Sequence, residues 1–280
     1  MNFKTLADKC NYYRSLTDYK LMPNSYVLAM VDGHCFSQMI KNKFEKPFDS
    51  NFIKMMNETA KYLCVMIQGV KFAYTQSDEI SLLITDFDTP QTDSFFSFRL
   101  CKMQSLIASM ATAKFNQLID QYHLKKYSYD TTGEDCEETI YNVSDCIKMI
   151  DNLPCYQFDC KVWTVPNAND AYAWFLYRQT DCIKNSKAQT AQAYLPHKDL
   201  VGLTSDEMIA KCKEEKGIDW YAYPNDRKYG RIIQKIKKEM ETDLPDGQHI
   251  QFTRNVWTPM SANDLKKDEN QIRDLIPKQL

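Results

Sequence analysis

Glycine is scarce in this chain, with 7 in 280 residues against an average usage of about 7%. Collagen-like and glycine-rich low-complexity architectures are excluded, and each glycine beside a suggestive residue carries added weight. Long hydrophobic runs are missing too. The longest, such as Tyr26 to Val31 and Ile80 to Ile84, fall far short of the roughly 20 residues a membrane helix needs. The first residues include Lys4, Asp8 and Lys9 with no apolar run behind them, so the expectation is a cytoplasmic protein with no secretory signal and no membrane segment. An excess of one charge is also lacking: 35 Lys+Arg against 37 Asp+Glu give a formal net charge of -2. That balance offers no global footprint for a polyanion, so an RNA partner must be held by a local basic patch or by an assembled oligomer.

Cysteine is present but not organised. The ten cysteines are scattered, with no CxxC pair and no Cys/His metal spacing, and are read as reduced thiols. With 44% hydrophobic and 26% charged residues the composition is that of a globular protein with a real core. The length suits one large or two small domains.

Ser25 to Val31 is continuous and apolar and is bounded by Asp32-Gly33, which reads as a buried strand. After Lys46-Pro47, Asp49 or Ser50 makes a good N-cap for a helix whose face carries Phe52, Ile53, Met56, Ala60, Leu63 and Ile67 and which stops before Gly69. A hairpin follows, from Val70 to Tyr74 and from Ile80 to Ile84 around a turn at Gln76-Ser77-Asp78. Phe95 to about Leu118 reads as a second long helix with Phe96, Leu100, Met103, Ile107 and Met110 on one face. Residues 121–154 hold seven carboxylates against three lysines and read as an acidic insertion. A strand from Gln157 to Val165 and a helix from about Asn169 to Ala188 come next, then a helix over Thr204–Lys216, a strand over Arg231–Lys235 and a polar tail.

The order strand, helix, strand, strand, helix, strand predicts an α+β fold, a ferredoxin-like palm whose antiparallel βαββαβ sheet carries its helices on one face, plus a C-terminal helix and strand extension. Residues 1–165 are assigned to the palm, 166–236 to a C-terminal part of the same fold, and 237–280 to a tail of unknown role. In such a sheet the end of the first strand abuts the start of the third, which makes Asp32 and Asp78 neighbours.

Two carboxylates at one sheet edge repel, and either share a proton or hold a cation. Oxygen ligands alone favour Mg²⁺, the usual partner of phosphoryl transfer. Asp-Gly is equally a strong hairpin signal. Lys46, Arg99 and Lys102 are candidates to neutralise a triphosphate, the last two sharing a helix face at i, i+3. Arg178, Asp181 and Asn185 share a polar face that reads equally as a surface ion pair.

Nine stretches then resemble, in order, the tRNA(His) guanylyltransferase superfamily, whose members extend RNA 5′ ends in the 3′-to-5′ direction. They are Met30-Val-Asp-Gly-His-Cys-Phe36, Lys46-Pro-Phe-Asp49, Gln76-Ser-Asp-Glu79, Ser109 to Asn116, Phe158-Asp-Cys-Lys161, Arg178 to Ser186, His197-Lys198 with Gly202, Ser205-Asp-Glu-Met208, and Lys228-Tyr-Gly-Arg231. The resemblance covers about residues 5 to 236. It implies a polymerase-like palm in which Asp32, the Gly33 carbonyl and Asp78 bind two Mg²⁺ ions. By the same resemblance Asp32, Gly33, His34, Cys35, Phe36, Ser37, Ser77 and Asp78 line the nucleotide, and Glu79 supports the metal site. Lys46 serves activation, and Arg99 with Lys102 faces triphosphate oxygens. Lys161, Arg178, Lys184, Asn185, Ser186, His197, Lys198, Lys228 and Arg231 match a region that handles tRNA and subunit contacts.

The implied activity is a Mg²⁺-dependent nucleotidyltransferase that adenylylates a 5′-monophosphorylated tRNA with ATP and then adds GTP or another nucleotide, as a homotetramer. Met30 stands where many relatives carry Arg. Ile183-Lys-Asn-Ser186 stands where enzymes dedicated to tRNA(His) carry a His-Ile-Asn-Asn type stretch, which places the chain nearer the branch that repairs tRNA 5′ ends. A strict tRNA(His) guanylyltransferase, a non-catalytic RNA-binding palm and a cyclase of free nucleotides are the alternatives.

Overall fold

A computed structural model describes residues 3–36, 43–132, 155–243 and 249–279. Six strands form one sheet in the order β4-β1-β3-β2-β5-β6, and every neighbouring pair is antiparallel. The palm unit consists of β1 (Tyr26–Gly33), α2 (Ser50–Met66), β2 (Val70–Gln76), β3 (Glu79–Ile84), α3 (Leu100–Thr132) and β4 (Phe158–Val165). It follows a short polar helix, α1 (Leu6–Ser15), whose capping box joins Thr5 and Asp8.

β1 reads as continuously apolar because it is covered on both faces. Val27, Ala29 and Val31 point to a core with Met56, Ala60 and Leu63 of α2 and Met103, Ile107, Ala111 and Phe115 of α3. Tyr26 and Leu28 alternate to the opposite face, where they meet Phe72, Tyr74 and residues of α4 (Ala168–Tyr194). The two palm helices thus share one face, as expected, and α4 from the extension covers the other.

Three boundaries differ from the sequence reading. α3 starts after a 3-10 turn at Phe95–Phe98 and runs to Thr132, into the stretch read as an acidic insertion. Its stripe continues through buried Ile119 to Tyr122, which stacks on Phe44 with ring centroids 5.8 Å apart. The remainder of that stretch, 133–154, lies outside the described residues. α4 extends past Ala188 because Thr190 and Ala191 are buried, the latter packing with Leu195, Leu200 and with Cys212 of α5 (Ser205–Lys216) in a third small core.

The polar tail is built structure. β5 (Arg231–Asp243) pairs along its whole length with β6 (His249–Ser261) but touches β2 only from Arg231 to Ile233, so most of it is an exposed two-stranded ribbon with little hydrophobic signal. Beyond it, Ala262, Leu265, Ile272 and Ile276 are buried against the α4 face of the sheet. Gln179 of α4 fixes this return: its amide donates to the Asn263 and Tyr229 carbonyls at 2.7 and 3.2 Å, and its oxygen accepts from the Leu265 N–H at 2.8 Å. Among the described residues no helix is long and apolar enough to cross a membrane.

Candidate active site

The register of three strands sets the site. Asp32, one residue before the end of β1, lies opposite Glu79 on β3 and opposite Asp159 on β4. The Gly33 N–H donates to the Asp78 carbonyl at 3.2 Å, which ties the end of β1 to the turn between β2 and β3. That turn has only two residues between the paired Gln76 and Glu79, and Ser77 adopts φ +45° to make it. Gly33 is required for room: a Cβ there would lie 2.5 Å from the Phe36 ring, which is buried among Phe52, Phe115, Tyr156 and Phe158.

Four carboxyl groups, those of Asp32, Asp78, Glu79 and Asp159, therefore crowd one sheet edge. Burial, and then the charges of Asp78, Glu79 and Asp159, push Asp32 up to about 6, with Arg178 pulling the other way. Burial also raises Asp78 and Glu79. Glu79 is largely committed. Arg178 Nε donates to its Oε1 at 2.8 Å and Arg178 Nη2 to its Oε2, while Ser81 Oγ and Gln76 Nε2 add bonds of 3.3 Å. Arg178 Nη1 in turn meets Asp181 at 2.8 Å. Asp32 and Asp78 form no ion pair among the described residues.

Among the described residues no group of three or more His, Cys, Asp and Glu side chains forms a ready metal cage. Two carboxylates that resist ionisation together suit Mg²⁺, which usually takes one or two carboxylates and completes its shell with water and substrate phosphates. Asp32 and Asp78, with the Gly33 carbonyl beside them, are the residues that would hold it.

A cavity of about 380 Å³ opens beside Asp78. Its walls include Lys46 and Phe48 from the loop before α2, Ser77 and Asp78, and Asn185 and Arg231 from the extension. Asp49, also on the wall, caps α2 by accepting from the Asn51 and Phe52 N–H groups at 2.7 and 2.9 Å, and from the Glu45 N–H at 2.9 Å.

Other predicted residues disperse. His34 and Cys35 are exposed beside Asp32, Phe36 is core, and Ser37 lies outside the described residues. Arg99 and Lys102 lie away from the carboxylates of their own chain. The Leu100 N–H donates to the Tyr19 carbonyl at 2.8 Å, ahead of β1, so α3 begins at the sheet edge opposite Asp32; it reaches the edge where Gly33 faces Phe158 only from Thr112 onward, whose hydroxyl accepts from the Phe158 N–H at 3.1 Å. Twelve helical residues span roughly 18 Å. Arg99 instead pairs with Asp18 at 2.7 Å, and Lys102 sits 4.3 Å from the centre of the Phe96 ring.

Lys161, Lys184, Asn185, His197 and Lys198 are exposed, as RNA contacts require. Arg178, Ser186, Lys228 and Arg231 are engaged internally. Ser186 Oγ donates to the Ile183 and Lys228 carbonyls, and Lys228 Nζ donates to the Tyr221 carbonyl at 3.0 Å with the Trp220 ring 5.6 Å away. The sequence reading missed Asp159, which follows from strand alternation, and Arg227, whose place at the cavity has no local signal.

An antiparallel palm with two free carboxylates at the junction of its first and third strands defines a protein of the nucleotidyltransferase class. The sequence signature described as tRNAHis guanylyltransferase (Thg1) matches residues 8–166, more than half of the chain, and the protein belongs to that family. An uncharacterized protein of Acanthamoeba polyphaga mimivirus is 26% identical over 92% of this chain and 86% of its own. The tRNA(His) guanylyltransferase of Debaryomyces hansenii is 28% identical, but the match spans 61% of this chain and 54% of that enzyme. A bacterial tRNA(His) guanylyltransferase-like protein solved in complex with ATP superimposes with a TM-score of 0.77 at 30% identity, covering 97% of this chain and 99% of that one. A bacterial guanylyltransferase-like protein in complex with GTP gives 0.72 at 27% identity, covering 97% and 98%.

Proposed function

We propose that this chain is a Mg²⁺-dependent nucleotidyltransferase that extends the 5′ end of tRNA in the 3′-to-5′ direction, most nearly as a templated repair enzyme. The observation that carries the reading is the Asp32–Asp78 pair, held at one sheet edge by strand register, raised by burial and opening onto a cavity with Lys46 on its wall. The bacterial structures with ATP and GTP are consistent with it.

In the activation step an oxygen of the RNA 5′-monophosphate attacks the α-phosphorus of ATP and pyrophosphate leaves. In the addition step the 3′-hydroxyl of the incoming nucleotide attacks the activated 5′ phosphate and AMP leaves. Asp32 and Asp78 would hold two Mg²⁺ ions, which would supply charge neutralisation and activation of the attacking oxygen. Asp32 and Asp78 hold that charge in place, Lys46 offers a cation to the phosphates, and the Arg178 contacts keep Glu79 from competing for the same ligand. Preorganised charge is the main catalytic contribution in such transfers.

Ile183-Lys184-Asn185-Ser186 supports repair over strict tRNA(His) guanylylation, because a site that sees phosphate and ribose leaves nucleotide choice to the opposing base. A homotetramer suits the same reading, since Arg99 and Lys102 are remote from the carboxylates of their own chain. Incubation with ATP, GTP, Mg²⁺ and 5′-labelled tRNA tests the activity, with the base opposite the missing nucleotide varied. Extension that follows the opposing base is expected. No extension of any tRNA rejects the enzymatic reading, G added whatever base opposes it rejects repair, and a monomer by light scattering rejects the assembly.

A further inference from the structure

Arg231, the first residue of β5, is a buried cation that makes no ion pair among the described residues, with Asp226 the one carboxylate whose charge supports it. It is 5% exposed. Its Nε donates to Asn57 Oδ1 at 3.0 Å and its Nη1 to the Asp226 carbonyl at 3.2 Å, both uncharged acceptors, while Nη2 has no partner. Burial accordingly works against its charge. A guanidinium removed from water needs a compensating anion and a partner for every N–H, or it is strongly unfavourable. Two other polar groups on the same wall are satisfied: Asp49 has both carboxylate oxygens bonded and Ser186 Oγ lies within hydrogen-bond distance of two carbonyls.

The unpaired arginine lines the cavity beside Asp78. Two further cations stand on the same wall, Lys46 and the partly exposed Arg227, whose Nη2 is held by Ser50 Oγ at 2.9 Å. The opposing charges are Glu45, Asp78 and the committed Asp49. The cavity is far larger than a phosphate group requires, and Asp78 of the carboxylate pair stands on its wall.

We propose that Arg231, with Arg227 and Lys46, forms a phosphate-accepting subsite in this cavity, separate from the Asp32–Asp78 pair. It takes either the 5′-terminal phosphate of the RNA, through oxygens turned away from the carboxylate pair, or a phosphate of the nucleoside triphosphate that does not itself react. The subsite deepens the activity proposed above and rests on that reading for the choice of ligands. Planar guanidinium groups suit phosphate oxygens, and contacts of this kind are the strong class of hydrogen bond.

The test measures binding in EDTA, so that divalent metal contributes nothing. The probes are an RNA hairpin carrying a 5′-monophosphate, the same hairpin with a 5′-hydroxyl, and a fluorescent ATP analogue. With the 5′ end as source, the wild-type chain prefers the phosphorylated hairpin about tenfold or more, and Arg231→Met removes the preference. With the nucleotide as source, Arg231→Met weakens the ATP analogue to a similar degree and the two hairpins bind alike. Thermal melting confirms that the variant is folded. Should Arg231→Met not fold, the Arg227→Ala, Lys46→Ala double variant gives the same readout from the cavity wall. Unchanged affinity for all three probes in a folded variant overturns the proposal. If Arg231-dependent phosphate binding is present while no tRNA is extended with Mg²⁺ and nucleotides, the subsite stands and the enzymatic reading fails.

Discussion

Arg178 on α4 and Glu79 on β3 meet as a fork, with both carboxylate oxygens of Glu79 accepting from one guanidinium. The contact joins residues 99 apart in the chain and is mostly buried, at 13% and 6% side-chain exposure. It ties the helical extension to the edge of the palm that carries Asp32.

Breaking this pair from one side leaves an uncompensated buried charge. Arg178→Met is expected to cost about 3–5 kcal/mol, with Arg178→Met, Glu79→Gln recovering part of the loss. Urea denaturation measures both, and a cost below about 1 kcal/mol for the single variant would show that the fork is not structural.

Asp32 gives a signed pH effect. Its folded value of about 6 lies above the roughly 3.9 of an unfolded aspartate, so its stability is fully present below about pH 4 and is lost as pH rises through 6. In EDTA, Asp32→Asn should melt above the parent at pH 8 and converge with it near pH 4. Adding Mg²⁺ at pH 8 should then raise the parent and leave the variant unmoved. A variant that melts lower throughout would mean that the carboxylate is a structural anchor.

Gln179→Ala removes three hydrogen bonds, two to the returning segment and one to the Tyr229 carbonyl ahead of β5. At about 1 kcal/mol each, the loss is about 2–3 kcal/mol. The more telling readout is limited proteolysis: residues 262–277 should be cut sooner while β1 to β4 stay protected.

Gly33→Ala places a methyl group against the Phe36 ring. Overpacking of this kind costs about 1–3 kcal/mol and shifts the backbone beside Asp32, so nucleotide addition should fall more than stability does. Paired measurements of turnover and melting decide it, and near-normal turnover would show that the end of β1 tolerates movement.

Much of the palm was legible because its signals are local. Asp49 as N-cap, the stripe from Phe52 to Leu63, the Ser77-Asp78 turn and the two-sided apolar run of β1 each announce their element within a few residues, and alternation then predicts that Asp32 meets the start of β3. What stayed hidden depends on contacts distant in the chain. Arg178 is indistinguishable from a surface arginine until α4 packs on the sheet and Glu79 lies beneath it. Arg99 and Lys102 read as one helix face, but Arg99 precedes α3, and only the direction of that helix shows that they stand at the far edge. The ribbon of β5 and β6 lacks a hydrophobic code because most of it packs against nothing.

The last stretch of the fold has a consequence for synthesis. Leu265, Ile272 and Ile276 cover the face of the sheet opposite α2 and α3, and Tyr26 at the start of β1 donates its hydroxyl proton to the Pro277 carbonyl at 2.7 Å. Every strand these residues shield leaves the ribosome before they do. At a few residues per second, the nascent sheet spends many seconds with Phe72 and Leu83 short of part of their cover. Chaperone demand should therefore fall on the translating chain in that interval, after β3 has emerged and before Leu265, Ile272 and Ile276 arrive.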